Sequence, residues 1–308
     1  MPRWLGCCVD RTTMNPEAAV GVLTEIAMGT HGGISAAGMT NVGLARAGNE
    51  DAFLIATLHR SLVVQATSSA TNGAGALESL AGTLLVVADG MGGEGGGDIA
   101  SRVAVDAVVS YLLNVMPWAS SGAAATGEAS SSGIGAELSS ALVAGDADVK
   151  LAAQHSATPH MGTTLTLALV LWPELYVAHV GDTRCYLLRE GQFSRLTTDH
   201  TLAQRVVDEA TEPVVPSPEL HNVLWNSLGG SKGLPEPQIV ELTLRPDDRL
   251  LLCSDGLTKH VADPQILAAL STHEPSTAQC AQLIALANAA GGSDNVTVVV
   301  ANVTGYAV

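Results

Sequence analysis

The stretch LLVVADGMGGEGGGDIAS, residues 84–101, decides how the chain is read. Leu84 to Ala88 form a short apolar run, rich in branched side chains and closed by Asp89-Gly90. That pattern predicts a strand buried on both faces rather than a helix. Asp89 then falls at the strand's C-terminal lip. The glycines at 90, 92, 93, 95, 96 and 97 leave backbone amides and carbonyls uncovered, so a metal ion or an anion can approach closely. A helix is expected to begin at Asp98 or Ser101. An isolated Asp-Gly is an ordinary turn, and the reading changes only if other carboxylates arrive in the same way.

They do. Three apolar strands end alike, LLVVAD at Asp89, YVAHVGD at Asp182 and RLLLCSD at Asp255, while SDN sets Asp294 directly before the last strand. Strand ends in one sheet lie about 4.8 Å apart, so carboxylates at neighbouring lips are expected to meet within one coordination shell. Acids and carbonyls without His or Cys ligands suit hard ions such as magnesium or manganese, not zinc or copper. Two such ions about 3.5–4 Å apart can activate a water and hold a phosphoryl oxygen for in-line displacement. Arg46, just before Glu50-Asp51, has the fork to grip phosphate oxygens, though an Arg there also suits a surface salt bridge.

Composition narrows the partners. The chain has 308 residues, 47% of them hydrophobic but only 3% aromatic, so Val, Leu, Ala and Ile must fill the core. A net charge of −16 with 14 Lys and Arg argues against nucleic acid or an anionic membrane and favours bound cations. Five cysteines without a C-x-x-C pair make neither a disulfide framework nor a zinc site. Cys253 and Cys280 are expected in the core, and Cys7-Cys8 in a tail. No secretory leader and no apolar stretch of about 18 residues is evident, which predicts a soluble, cytoplasmic protein.

Along the chain, residues 1–34 read as a weakly ordered lead-in with a short helix at 16–28, and one domain over 35–308. Residues 43–55 read as a strand, a polar loop holding Arg46, Asn49, Glu50 and Asp51, and a second strand. Residues 66–80 read as a loop of small residues. Apolar positions from Ile99 to Val115 mark a helix over 98–116, stopped by Pro117. Residues 119–135 read as a solvated connection, and a helix follows over 136–155. A meander is expected at 163–171, 175–180, 184–189 and 192–196, then a helix at 201–210 and an irregular segment to 233. Strands at 239–244 and 249–253, a helix start at Asp263-Pro264, a helix at 276–290 and a strand at 296–303 complete the chain. Strands grouped in meanders predict an α+β fold, antiparallel sheets in the centre with helices outside. His179, inside a strand, reads as a hydrogen-bonded core residue.

The order of these pieces resembles the metal-dependent serine/threonine protein phosphatases of type 2C, the PPM family, and most of all its bacterial members. The resemblance runs from about Gly43 to Val303. Its motifs are GLARAGNED at 43–51, DGMGGxxxGxxAS at 89–101, MGTTL at 161–165, VGDTR at 180–184, LTTDHT at 196–201, SDGL at 254–257 and SDNVTV at 293–298. Each alone is weak; seven in order are specific.

The resemblance implies a four-layer α/β/β/α sandwich, two antiparallel sheets flanked by helices, with metals in a cleft at one end. It implies two divalent ions, Mn2+ or Mg2+, with Asp89 bridging them, Gly90 a ligand through its carbonyl, and Asp255 and Asp294 completing one ion. Glu50 and Asp51 match the pair acting on the other ion, mostly through water. Asp182 matches the residue that binds a third, weaker ion, and Arg46 the phosphate-binding arginine. The implied activity is hydrolysis of phosphoserine and phosphothreonine by direct attack of a metal-bridging water. A catalytically inactive phosphoprotein-binding module is the alternative. The implied partners are phosphoproteins made by a cognate Ser/Thr kinase, met by a monomer, with residues 201–235 as a variable flap. One position departs: bacterial members carry DGMGGH where this chain has Glu94. Either Glu94 or a water replaces that histidine as proton donor, or Glu94 points to solvent.

Overall fold

The computed structural model describes residues 26–27, 33–63, 76–92, 96–114, 131–156, 158–230 and 233–304. Twelve strands are present among them: β1 (Ile26–Ala27), β2 (Ile34–Asn41), β3 (Asp51–Val63), β4 (Ala76–Met91), β5 (Gly162–Thr163), β6 (Leu165–Leu171), β7 (Glu174–Val180), β8 (Arg184–Arg189), β9 (Gln192–Arg195), β10 (Gln238–Thr243), β11 (Arg249–Cys253) and β12 (Val296–Val303). The α-helices are α1 (Gly96–Asn114), α2 (Ser131–His155), α3 (Leu202–Glu209), α4 (Asp255–Thr258), α5 (Asp263–Leu270) and α6 (Ser276–Ala289). A 3-10 helix covers Pro218–Asn222.

Two antiparallel sheets form, one in the order β1-β2-β12-β11-β8-β9 and the other β10-β7-β6-β4-β3, with β5 on β4. Strand alternation explains how they pack. In β4, Leu84, Val86 and Ala88 join a core with α1 and α2. Leu85 and Val87, the intervening residues, face the other sheet and meet Cys185, Leu250, Leu252 and Val299. In β11 and β12, Leu251, Cys253, Val298 and Val300 turn outward to α5 and α6. Every central strand is thus apolar on both faces, which is why the run at 84–88 shows no alternation. The result is the expected α/β/β/α sandwich.

Several boundaries differ from expectation. The helix expected at 16–28 gives way at Ile26–Ala27 to β1, paired with Ala36 and Ser35 of β2; residues 16–25 lie outside the described residues. The strand before the polar loop is Ile34–Asn41 and ends before Gly43. β4 starts at Ala76, inside the loop expected at 66–80, because it pairs along the whole of β3. α1 runs from 96 to 114 and α2 begins at Ser131, inside the expected connection. Cys253 and Cys280 are buried free thiols, as expected; Cys7-Cys8 and Glu94 lie outside the described residues. Among the described residues no helix is long and apolar enough to cross a membrane.

Candidate metal centre

The layer between the sheets changes character at one end. Following the alternation past Val87 and Phe53 brings Asp89 and Asp51 into that layer, where they are partners in the β3–β4 ladder. Past Leu252 comes Ser254, whose Oγ donates to Asp51 Oδ2 at 2.7 Å. Its Oγ also accepts from the Thr297 amide at 2.9 Å. Thr166, His179 and Thr183 continue the polar region: Thr166 Oγ1 lies 2.8 Å from His179 Nδ1 and 2.6 Å from Thr183 Oγ1. His179 is buried, its other ring nitrogen 3.0 Å from the Thr198 carbonyl, as its place in a strand suggested. Burial pushes its pKa down to about 3, so it is a neutral structural imidazole.

A cavity of about 970 Å³ opens at this end and is lined by Arg46, Glu50, Asp89, Asp182, Asp255 and Asp294 among others. Neighbouring strands of one sheet do bring Asp51 to Asp89, in the β3–β4 ladder, and Asp255 to Asp294, beside the paired strands β11 and β12, but the full set of acids draws on both sheets rather than one. Asp89, near the end of β4, and Asp182, just past β7, belong to one sheet; Asp255 and Asp294 flank strands of the other. They meet across the sandwich because both sheets end at the same level.

Backbone packing holds each acid in place. The Thr164 amide donates to the Asp89 carbonyl at 2.9 Å, and Thr163 Oγ1 donates to the same oxygen at 2.9 Å. This clamp gives MGTTL a structural role that sequence reading left open. A Cβ at Gly90 would collide with the Gly97 carbonyl oxygen and lie 2.6 Å from that of Glu50, so only glycine allows the turn to close. Glu50 packs its carboxyl against Gly97 at the start of α1. Asp182 follows Gly181, whose φ of +109° favours glycine. The Gly181 amide donates to His200 Nδ1 at 3.2 Å, and Asn226 Nδ2 lies 2.9 Å from the same nitrogen. His200 thereby ties the expected flap to the Asp182 turn.

Asn295, buried and overlooked in the sequence, is the main brace of the arginine loop. Its Nδ2 donates to the carbonyls of Val42 and Gly48 at 2.9 Å each, and its Oδ1 accepts from the Glu50 amide at 2.9 Å. Arg46, half exposed, reaches Asp294 with Nη2 at 2.9 and 3.0 Å from its two oxygens. The salt bridge considered for Arg46 is therefore real, but it lies at the mouth of the cleft.

Electrostatics mark the cluster. Burial first, then Asp255 and Asp294, push Asp51 up to about 7. Burial, Asp255 and Asp199 do the same to Asp182, also to about 7. Burial and four neighbouring aspartates raise Asp89 well above the carboxylate range. Asp255 is raised too, chiefly by burial, against the pull of Lys259. Asp294 alone is lowered, because Lys259 and Arg46 outweigh its burial. Among the described residues no three His, Cys, Asp or Glu side chains stand ready-made at ligand spacing. Asp51 Oδ1 and Asp255 Oδ1 are nevertheless buried without a hydrogen-bond partner. An all-oxygen donor set with orphaned, mutually repelling carboxylates fits a hard divalent cation.

The family model for protein phosphatase 2C matches residues 74–295. The serine/threonine protein phosphatase PstP of Mycobacterium tuberculosis is 38% identical over 229 residues, covering 72% of this chain and 41% of that protein. The serine/threonine phosphatase stp of Listeria innocua is 32% identical over 219 residues, covering 70% of this chain and 82% of that one. The crystal structure of the PstP catalytic domain, in complex with two manganese ions, superposes with a TM-score of 0.66 at 33% identity, covering 88% of this chain and 99% of that one. The chain belongs to the protein phosphatase 2C family. It spans less than half the length of its mycobacterial relative.

Proposed function

We propose that this chain hydrolyses phosphoserine and phosphothreonine in proteins, with two divalent cations, Mn2+ or Mg2+, held at the carboxylate cluster. The observation that carries the reading is the convergence of acids from both sheets on one cavity whose mouth holds Arg46. Asp89, with the Gly90 carbonyl beside it, would hold the ion pair, Asp255 and Asp294 would complete one ion, Glu50 and Asp51 would serve the other, mostly through water, and Asp182 would take a third, weaker ion. When bound, such ions supply a nucleophilic water and neutralise developing charge on phosphorus. The chain's own groups do the rest. Arg46 exchanges one Asp294 oxygen for phosphate oxygens and orients the ester for in-line attack. Ser254, Thr163 and Thr164 fix the acids so that little reorganisation accompanies turnover.

Proton delivery to the leaving alkoxide falls to Glu94 or to water. Residues 35–308 act as one catalytic unit, a cytoplasmic monomer whose 201–235 flap selects among the substrates of a cognate Ser/Thr kinase. The bridge between Thr163 and Leu228 and the Leu228 carbonyl bonded to the Thr163 amide at 2.9 Å support a flap seated on the site. The complete set of acids gives no support to a phosphoprotein-binding module without turnover. Hydrolysis of a phosphothreonine peptide should appear with Mn2+ or Mg2+, vanish with chelator, and vanish in Asp255→Ala. No hydrolysis under any metal would end this reading.

A further inference from the structure

Among the described residues, two permanently charged cations line the cavity, Arg46 and Lys259. Arg46 has the role already given. Lys259 is placed with equal care. It caps α4, the short helix that Asp255 opens, and its amide donates to the Asp255 carbonyl at 2.8 Å. One helical turn therefore stacks the ammonium over the Asp255 carboxylate, Nζ to Oδ2 at 2.6 Å. The same nitrogen lies 2.9 Å from Asp294 Oδ2. His260 locks the facing turn, its Nε2 2.8 Å from Ser293 Oγ and accepting from the Ser293 amide at 3.0 Å. Lys259 is thus clamped between two acids assigned above to one ion, and Arg46 grips Asp294 as well. The Lys259 side chain is 35% exposed, so it faces the cavity rather than the core.

We propose that Lys259 is a built-in counter-ion of the centre, which weakens divalent-metal binding at Asp255 and Asp294 and strengthens phosphate binding beside Arg46. The proposal rests on the metal-centre reading. A positive charge a few ångströms from a cation site opposes the second cation, and Lys259 shares Asp294 Oδ2 with Arg46, at 2.9 and 3.0 Å, which sets its ammonium beside the phosphate that Arg46 orients. One residue therefore acts with opposite sign on the two ligands, so removing its charge must shift both affinities in opposite directions. A purely structural lysine would weaken both or neither.

The test is calorimetric titration of Mn2+, and of inorganic phosphate into the Mn2+-loaded protein, for the wild type, Lys259→Gln and Lys259→Arg. The glutamine keeps the hydrogen-bonding reach without the charge; the arginine keeps the charge. Lys259→Gln is expected to bind Mn2+ roughly three- to tenfold tighter and phosphate several-fold more weakly, from the loss of one unit charge at short range. Lys259→Arg should stay within about twofold of the wild type for Mn2+ by the same argument. Melting curves add a readout independent of affinity fits: the gain in Tm on adding Mn2+ should be larger in Lys259→Gln than in the wild type. Unchanged or weaker Mn2+ binding in Lys259→Gln, or an arginine variant that behaves like the glutamine one, overturns the proposal. A wild type that binds Mn2+ but hydrolyses nothing defeats the phosphatase reading and leaves this one standing. A wild type that binds no Mn2+ defeats both.

Discussion

Asp51, the first residue of β3, and Asp89, near the end of β4, are direct ladder partners, two buried acids side by side, with Ser254 Oγ donating to Asp51. Such a pair is costly when ionised and unaccompanied. Asparagine at 89 imitates the uncharged form. In chelator at pH 8, Asp89→Asn should therefore melt higher than the wild type, while its Mn2+-dependent hydrolysis falls by roughly a thousandfold. A lower Tm in chelator would show that repulsion is not what the cluster stores.

Metal loading should also release protons. Asp51 and Asp182 carry folded pKa values of about 7 against an ordinary 3.8, so near pH 6 both hold protons in the metal-free chain. A folded pKa above the unfolded one means that the contribution of these two groups to metal-free stability falls as pH rises from about 4 to about 7, then levels off. Ligation needs the carboxylate form. Titrating Mn2+ at pH 6 in buffers of different ionisation enthalpy should reveal more proton release than at pH 8, where the share from Asp51 and Asp182 has faded, with affinity rising over the same range. Equal proton release at both pH values contradicts the assignment.

Arg46→Ala separates phosphate from metal. With the guanidinium gone, kcat/KM for a phosphopeptide should drop by about a hundredfold, the usual scale for one transition-state donor. Mn2+ affinity should hold or rise, since Asp294 loses a competing cation. Weaker Mn2+ binding in this variant would place Arg46 in the scaffold instead.

Asn295→Ala removes three hydrogen bonds to the 42–50 loop at once. Leaving those backbone groups unpaired should cost about 2–4 kcal/mol of stability, summing the ordinary penalties for buried polar groups. The loosened Arg46 should raise KM for phosphopeptides more than it lowers kcat, whereas a general loss of folded protein would lower activity without changing KM. Steady-state kinetics beside urea melts distinguish the two.

Much of this protein is local and therefore legible in its residues. The run at 84–88 declares a strand buried on both faces, and Asp89, Asp182, Asp255 and Asp294 are each marked by their position at a strand end. The order of seven short motifs then carries the family, and His179 announces itself as a core group by its strand setting. What tertiary structure decided is which ends meet. Strand pattern encodes period and burial but not sheet membership, so acids expected on one sheet instead converge from two. Ser254 finds Asp51 across 203 residues of sequence and Asn295 finds Glu50 across 245. No local pattern specifies such contacts; they arise because two twisted sheets pack face to face and end at a common level. The same packing turned Lys259, an unremarked cation after SDGLT, into a neighbour of two site carboxylates.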